Sequence, residues 1–151
     1  ELARDLMRKA VNLNCAIQLP VDVVVADEFR EGASLQVVPS DAVPGGWMGV
    51  DVGPRTSAEF AEVIEEAGTV FWNGPMGAFE ISGFDDGTRA LAEALARADG
   101  VTLAGGGDSA AALSAVGVAS DALTHVSTGG GAALEMIEGK VLPGVAVLPE
   151  A

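Results

Sequence analysis

Val101-Thr-Leu-Ala-Gly-Gly-Gly-Asp-Ser-Ala-Ala-Ala-Leu113 decides how the rest of the chain is read. Its first four residues are a short apolar run, which predicts a buried strand. Gly105, Gly106 and Gly107 follow, and Asp108 and Ser109 open an alanine-rich stretch that predicts a helix from Ser109 to about Val116. Strand, glycine turn and helix start, in that order, let a phosphate sit against backbone N–H groups at the positive end of a helix. Glycine tolerates positive φ and lets a ligand approach the backbone. Asp108 stands where a hard cation could be held beside the phosphates. The same residues also fit a tight strand–helix turn in which Asp108 or Ser109 is only the N-cap.

Two neighbouring stretches favour the phosphate reading. His125-Val-Ser-Thr-Gly-Gly-Gly-Ala-Ala-Leu-Glu-Met-Ile137 repeats the design, with a helix expected from about Ala132 to Glu138. Val70-Phe-Trp-Asn-Gly-Pro-Met-Gly-Ala-Phe-Glu80 is a third strand ending in a glycine-containing loop. Ligands of open parallel sheets bind at the carboxyl ends of the strands. Three such ends bearing Asn, Asp, Glu and glycines predict one shared ligand site.

Working outward, the second half alternates strands with helices, the pattern of a parallel sheet with right-handed crossovers. One helix starts at Gly87-Thr88, buries Leu91, Ala92, Leu95 and Ala98, and closes at Gly100. Another is capped by Thr56 or Ser57 and buries Phe60, Val63, Ile64 and Ala67, with Gly68 as its stop. Towards the N-terminus, Leu2, Leu6, Met7, Ala10 and Val11 recur at helical spacing. Ala16–Leu19 is expected to be a short strand broken by Pro20. Val21–Ala26 is an apolar, β-branched run whose one polar residue is Asp22, and it reads as strand or extended chain leading to Asp27 and Glu28. Residues 30–56 are punctuated by glycine and proline and form an excursion from the main sheet. Within it, Leu35–Val38 and Trp47–Val50 are expected as short antiparallel strands. The tail from Val141 to Ala151, with Pro143 and Pro149, is expected to be extended.

The 151 residues suffice for one domain with a core. Net charge is −14, from 22 acids against 8 bases, so no basic stripe exists to neutralise a nucleic acid. A polyanionic ligand must then rely on backbone dipoles, a divalent cation, or side chains beyond these residues. Cys15 is the single cysteine, which rules out an intrachain disulfide and fits a reducing cytoplasm; its apolar surroundings predict a small core residue. No apolar stretch reaches the roughly 20 residues of a membrane span. The chain begins at Glu1 already inside a helical pattern, the expectation being a piece of something longer.

Five runs together resemble the C-terminal, nucleotide-binding half of phosphoglycerate kinase. They are Leu19–Ala26, Gly46-Trp-Met-Gly-Val-Asp-Val-Gly-Pro54, Phe71-Trp-Asn-Gly-Pro-Met-Gly-Ala-Phe-Glu80, Ala104-Gly-Gly-Gly-Asp-Ser109 and Thr124-His-Val-Ser-Thr-Gly-Gly-Gly-Ala132. Their joint order and spacing is specific where any one glycine run is weak, and the resemblance covers essentially the whole chain. It implies an α/β, Rossmann-like three-layer fold, a parallel sheet with helices on both faces. Residues 1–151 would be part of the C-terminal domain, with the N-terminal phosphoglycerate-binding domain lying outside this sequence. The implied reaction moves a phosphoryl group between 1,3-bisphosphoglycerate and Mg·ADP, giving 3-phosphoglycerate and Mg·ATP, in glycolysis. A cytoplasmic enzyme, monomeric at full length and without nucleic-acid or membrane partners, is implied as well.

The resemblance also implies roles. Gly49 and Val50 would lie near the adenine, with Pro75 and Ala78 on the same apolar slot. Glu80 would accept from the ribose hydroxyls, and Asn73 would contact the phosphate chain. Gly106, Gly107 and Ser109 would present N–H groups to phosphates, and Asp108 would hold Mg²⁺. Gly129, Gly130 and Gly131 would receive the transferring phosphoryl group. A division of labour follows, in which Gly130→Ala lowers kcat at unchanged nucleotide affinity and Gly107→Ala does the reverse. Trp72 and Phe79 are expected to pack rather than bind, and His125 to be structural rather than a general base.

The family's basic phosphoglycerate patch, its catalytic arginine and the lysines that meet the nucleotide phosphates fall outside these 151 residues. The chain alone is therefore expected to be inactive. A nucleotide-binding module without catalysis is the alternative. A dehydrogenase is disfavoured, since no Gly-x-Gly-x-x-Gly opens a helix with an acid about 20 residues later.

Overall fold

The computed structural model of the chain describes residues 1–148. Two three-stranded sheets organise them. The antiparallel one has the order β2-β1-β3, from β1 (Asp22–Ala26), β2 (Leu35–Pro39) and β3 (Met48–Val52). The parallel one has the order β4-β5-β6, from β4 (Thr69–Trp72), β5 (Val101–Gly105) and β6 (His125–Ser127). The excursion expected over residues 30–56 is thus the bulk of the antiparallel sheet. Its strands β2 and β3 both pair with β1 and not with each other.

Helices follow each parallel strand: α3 (Asp86–Arg97), α4 (Gly107–Ala115) and α5 (Gly130–Ile137). Both crossovers step across the sheet in the same direction. Right-handed connections therefore bring α3 and α4 to the same face, and they share a core there. Ala92 and Leu95 of α3 meet Ala112 and Leu113 of α4, over Trp72 and Ala104 of the strands. Of the stripe expected from the sequence, Leu91, Ala92 and Leu95 are buried, joined by Ala94; Ala98 is the half-buried C-cap, since the helix ends at Arg97 rather than at Gly100. β5 and the approach to β6 are stitched by two threonines, each accepting the other's backbone N–H: Thr102 N to Thr124 Oγ1 at 3.1 Å and Thr124 N to Thr102 Oγ1 at 3.2 Å. A second core joins Ala26, Val50 and Phe84 under the antiparallel sheet, with Phe29 tilted against Phe84 at 5.7 Å between ring centres.

Helix α2 (Pro54–Glu66) joins the sheets, and its start corrects the sequence reading. It begins at Pro54, the favoured first helical residue, and neither Thr56 nor Ser57 is its cap; Gly53 is, with no side-chain bond of its own. The cap comes from β1 instead. Asp22 accepts from Arg55 N at 3.1 Å, Thr56 N at 2.8 Å and Thr56 Oγ1 at 2.6 Å, while Thr56 Oγ1 accepts from Val21 N and Asp22 N. Burial pushes the Asp22 carboxyl up, but the bonds from Thr56 and Arg55 prevail and hold it below the usual carboxylate range.

Other expectations give way as well. Ala16–Leu19 forms no strand; the segment between α1 and β1 has no regular secondary structure. Cys15 is exposed, not core. The apolar stripe of α2 is only half covered, with Val63 48% exposed. The tail carries a short helix, α6 (Pro143–Ala146), before Pro149, which lies outside the described residues. Helix α1 (Leu2–Asn12) forms as expected, yet only Ala10 is buried, and Leu2, Leu6, Met7 and Val11 face solvent. Leu134, Met136 and Ile137 of α5 are likewise exposed. No helix among the described residues is long and apolar enough to cross a membrane.

Asp22→Ala leaves the Arg55 and Thr56 N–H groups without their acceptor at a buried helix start, while the Thr56 hydroxyl keeps the Asp22 carbonyl. It should cost about 2–4 kcal/mol in urea unfolding at neutral pH. Because folding lowers the pKa of Asp22, its contribution is present above the carboxylate's ordinary value and is lost as pH falls through the lower folded value. The gap between wild type and variant should therefore close below about pH 4. A gap that persists unchanged at pH 2 would show that the charge is not what holds α2.

Candidate functional site

The carboxyl ends of β4, β5 and β6 lie side by side, as parallel register requires, with Phe71 opposite Leu103 and Leu103 opposite His125. Each end runs into a glycine turn, and the turns touch. A Cβ on Gly130 would lie 2.6 Å from Asn73 Oδ1 and 2.8 Å from the Gly106 Cα. The Asn73 amide oxygen is thus wedged between the turns after β5 and β6. Gly106 has φ of +103°, which a side chain rarely tolerates, and its N–H donates to the Ser127 carbonyl at 2.8 Å.

Those contacts refine the sequence reading. Gly106 N–H is already taken by Ser127, so Gly106 serves by its backbone shape and not as a phosphate donor. Gly129 N–H donates to Ser127 Oγ at 3.1 Å. The helices start earlier than expected, on the glycines themselves, at Gly107 and Gly130. The N–H groups of Gly107, Asp108 and Ser109, and of Gly130, Gly131 and Ala132, belong to first helical turns, which have no partner within their own helix. Neither Asp108 nor Ser109 caps α4; Gly106 stands at the cap position, with no side-chain bond. Gly130→Ala cannot report on catalysis alone, because its Cβ would collide with Asn73 and with the Gly106 backbone. Gly107 and Gly131 face open space.

Ser109 has a different part from the one expected of its side chain. It is 1% exposed, and its hydroxyl donates to the Gly105 carbonyl at 2.9 Å and accepts from Gly74 N at 2.8 Å. The hydroxyl therefore ties the start of α4 to the loop after β4. Asp108, the next residue back, is exposed at the same helix start. No cluster of three or more metal-ligating side chains occurs among the described residues. A lone carboxylate fits Mg²⁺, which is commonly held by one or two carboxylates together with substrate phosphates and water.

The loop from Asn73 to Phe84 then reaches the antiparallel sheet. Val50 is the extra residue of a β-bulge: Val24 pairs with Asp51 and Val25 with Gly49. Its carbonyl accepts from Ala78 N at 3.1 Å. Val50 and Ala78 are thereby brought together, beside the exposed Gly49. The Val50 side chain is 5% exposed and packs inward on Ala26 and Phe84, so only its backbone is available to a ligand. Pro75 is half-buried on the same loop, and Glu80 is exposed on it. Trp72 packs in the core and Phe79 against it, as expected. His125 is exposed at the start of β6. A groove of about 590 Å³ between β2, α2 and α3, lined by Val37, Ala58, Ala90 and Arg97, contains none of these residues.

Sequence reasoning missed Thr88 and Asp51. Thr88 Oγ1, fully buried, accepts from Met76 N and Gly77 N at 3.2 Å each. Asp51 is 5% exposed and accepts from Val52 N at 2.8 Å and Gly87 N at 2.7 Å. Burial pushes its pKa up to about 6 against those two bonds, and Asp86 and Asp85 push the same way. A lone carboxylate inside the run Met48–Val52 was the available signal.

Electrostatically the site has little help from this chain's own cations. Arg8, Arg30, Arg55, Arg89, Arg97 and Lys140 are all paired with carboxylates, Arg89 with Asp85 at 2.7 Å and Arg97 with Glu65 at 2.7 Å among them. Backbone dipoles are what the glycine turns can offer an anion.

Comparison with known proteins shows the family and the fold. The family pattern of phosphoglycerate kinase matches residues 1–140. The phosphoglycerate kinase of Synechococcus elongatus is 53% identical over 154 residues, covering 100% of this chain and 38% of that protein. That of Parafrankia sp. is 51% identical over 148 residues, covering 98% of this chain and 36% of its own length. Among solved structures, phosphoglycerate kinase from Coxiella burnetii superposes with a TM-score of 0.89 at 47% identity, over 96% of this chain and 37% of that one. The chain thus spans little more than a third of the relatives that it matches.

Ser109→Ala should lower stability by about 1–3 kcal/mol, because it leaves the Gly74 N–H without its acceptor. Ser109→Thr, which keeps the hydroxyl, should lose less. Equal losses for both in urea unfolding would mean that the site tolerates no added methyl, and that the bond to Gly74 is not the source.

Proposed function

This chain belongs to the phosphoglycerate kinase family, and from that premise we propose that it supplies most of the nucleotide site of such an enzyme. The reaction is reversible phosphoryl transfer between 1,3-bisphosphoglycerate and Mg·ADP, giving 3-phosphoglycerate and Mg·ATP. The observation that carries the reading is the contact of three strand-end turns, with Asn73 between Gly106 and Gly130. That contact puts two helix N-termini beside one another where a phosphate chain would pass.

In this reading the adenine ring lies near the backbone of Gly49 and Val50, with Pro75 and Ala78 on the same apolar slot and Glu80 accepting from the ribose. Asn73 touches the phosphate chain, and the N–H groups of Gly107, Asp108 and Ser109 bind the phosphates nearest α4. Gly130 and Gly131 present N–H groups to the group in transfer, with Gly129 shaping the turn. Phosphoryl transfer depends on positioning and charge stabilisation more than on covalent help. Preorganised dipoles supply that with little reorganisation when charge develops. Mg²⁺, held by Asp108, would add charge neutralisation at the nucleotide phosphates. The acceptor carboxylate is already ionised, so His125 has no proton to remove. Six of the chain's eight bases pair with its own acids and the other two, Arg4 and Lys9, lie on α1, which supports the proposal that the remaining positive charge comes from sequence beyond these 151 residues.

Two outcomes are expected. The purified 151-residue chain should form no ATP from 1,3-bisphosphoglycerate in a coupled assay, since one lost transition-state contact can cost on the order of 10²-fold and several are missing. Robust turnover by this chain would refute that. In the full-length protein, Asp108→Ala should weaken Mg·ADP binding more than metal-free ADP binding in calorimetric titrations. Equal weakening with and without Mg²⁺ would remove Asp108 from the metal site.

A further inference from the structure

Asp51 is a buried carboxylate that the proposed reaction does not use, and its position asks for an explanation. It lies next to Val50, on the edge of the proposed base slot, and away from the glycine turns. Three elements meet around it: β3, the loop 73–84 and the start of α3. Three sets of bonds close them into a triangle. Val50 O takes Ala78 N–H, joining β3 to the loop. Thr88 Oγ1 takes the N–H groups of Met76 and Gly77, joining the loop to α3. Asp51 takes Gly87 N–H, joining α3 back to β3. The loop also rests on the carboxylate itself, since a Cβ on Gly77 would lie 2.5 Å from Asp51 Oδ1.

We infer that Asp51 is the positioning residue of the base slot: by fixing the start of α3 and the Gly77 backbone against β3, it sets the position of the bonded Val50–Ala78 pair against which an adenine ring rests. This inference rests on the nucleotide reading above. Chemistry explains why a carboxylate stands here. Two N–H donors, Val52 and Gly87, each need an acceptor, and the two oxygens of an ionised carboxylate supply one apiece. An asparagine of the same shape offers one oxygen and turns an NH₂ towards the other donor. The like charges that reach Asp51 are Asp86 and Asp85, and Asp85 is itself paired with Arg89. A group that is desolvated and faces like charge is costly to keep ionised. The triangle is what the cost maintains.

The test uses the full-length protein with three probes: ADP, adenosine, which has the base without phosphate, and tripolyphosphate, which has phosphate without the base. Asp51→Asn should weaken ADP and adenosine by at least about tenfold and leave tripolyphosphate within about twofold. Equal weakening of all three, or unchanged adenosine affinity in a folded variant, overturns the inference. Wild-type protein that binds neither ADP nor adenosine overturns the nucleotide reading itself, and the inference with it. Should Asp51→Asn not fold, hydrogen exchange on the unmodified protein gives the answer. Saturating adenosine should slow exchange at the Ala78 and Gly87 amides together; slowing at Ala78 with none at Gly87 overturns the coupling.

Discussion

The carboxylate of Asp22 at the start of α2 is the interaction on which the relation between the two halves depends. A helix start carries four N–H groups without intrahelical partners, and a local Ser, Thr or Asp usually takes one of them. Here the acceptor arrives from a strand 33 residues away. One buried group therefore stands at the start of β1 and at the start of α2, and fixes the angle between them. With Thr56 accepting from Val21 and Asp22 in return, the junction has donors and acceptors in balance. Asp51 repeats the arrangement at α3, though burial and like charge make it hold its proton more tightly than Asp22 does. Antiparallel sheet and helical layer are thus joined at two points by charge at helix termini, with apolar contact filling the space between.

The parallel half of this architecture was legible because its signals are local. An apolar run of four, a glycine cluster and an alanine-rich segment predict β5 and α4 within two residues, and the same holds for β6 and α5. The convergence of the strand ends follows from topology. The antiparallel half was legible only in outline. Its strand runs were found, Val21–Ala26 among them, but not that β1 is the common partner of the other two, since period-two runs do not state what they pair with. Asp22 and Asp51 were visible only as polar interruptions in apolar runs, because their partners lie more than 30 residues away.

Other misreadings share one cause. Ala16–Leu19 has strand composition, Cys15 has apolar neighbours, and α2 has a continuous stripe through Phe60 and Val63. Each signal reports surface that a segment can bury, not surface that these residues do bury. The proposed site divides along the same line. Glycines and Asp108 were readable as residue types at fixed spacing. The inward turn of the Val50 side chain, the capture of Gly106 N–H by Ser127 and the bracing role of Ser109 depend on contacts that spacing does not encode.

The solvent-facing apolar stripes of α1 and α5 have a colloidal consequence. With a net charge of −14, molecules of this chain repel one another at low ionic strength and keep those stripes apart. At about 0.15 M salt the repulsion reaches only about 8 Å, and at 1 M about 3 Å. Strongly excluded salts such as sulfate also strengthen apolar association. Buffer composition thus governs whether Leu6 and Val11, or Met136 and Ile137, meet water or a neighbouring molecule.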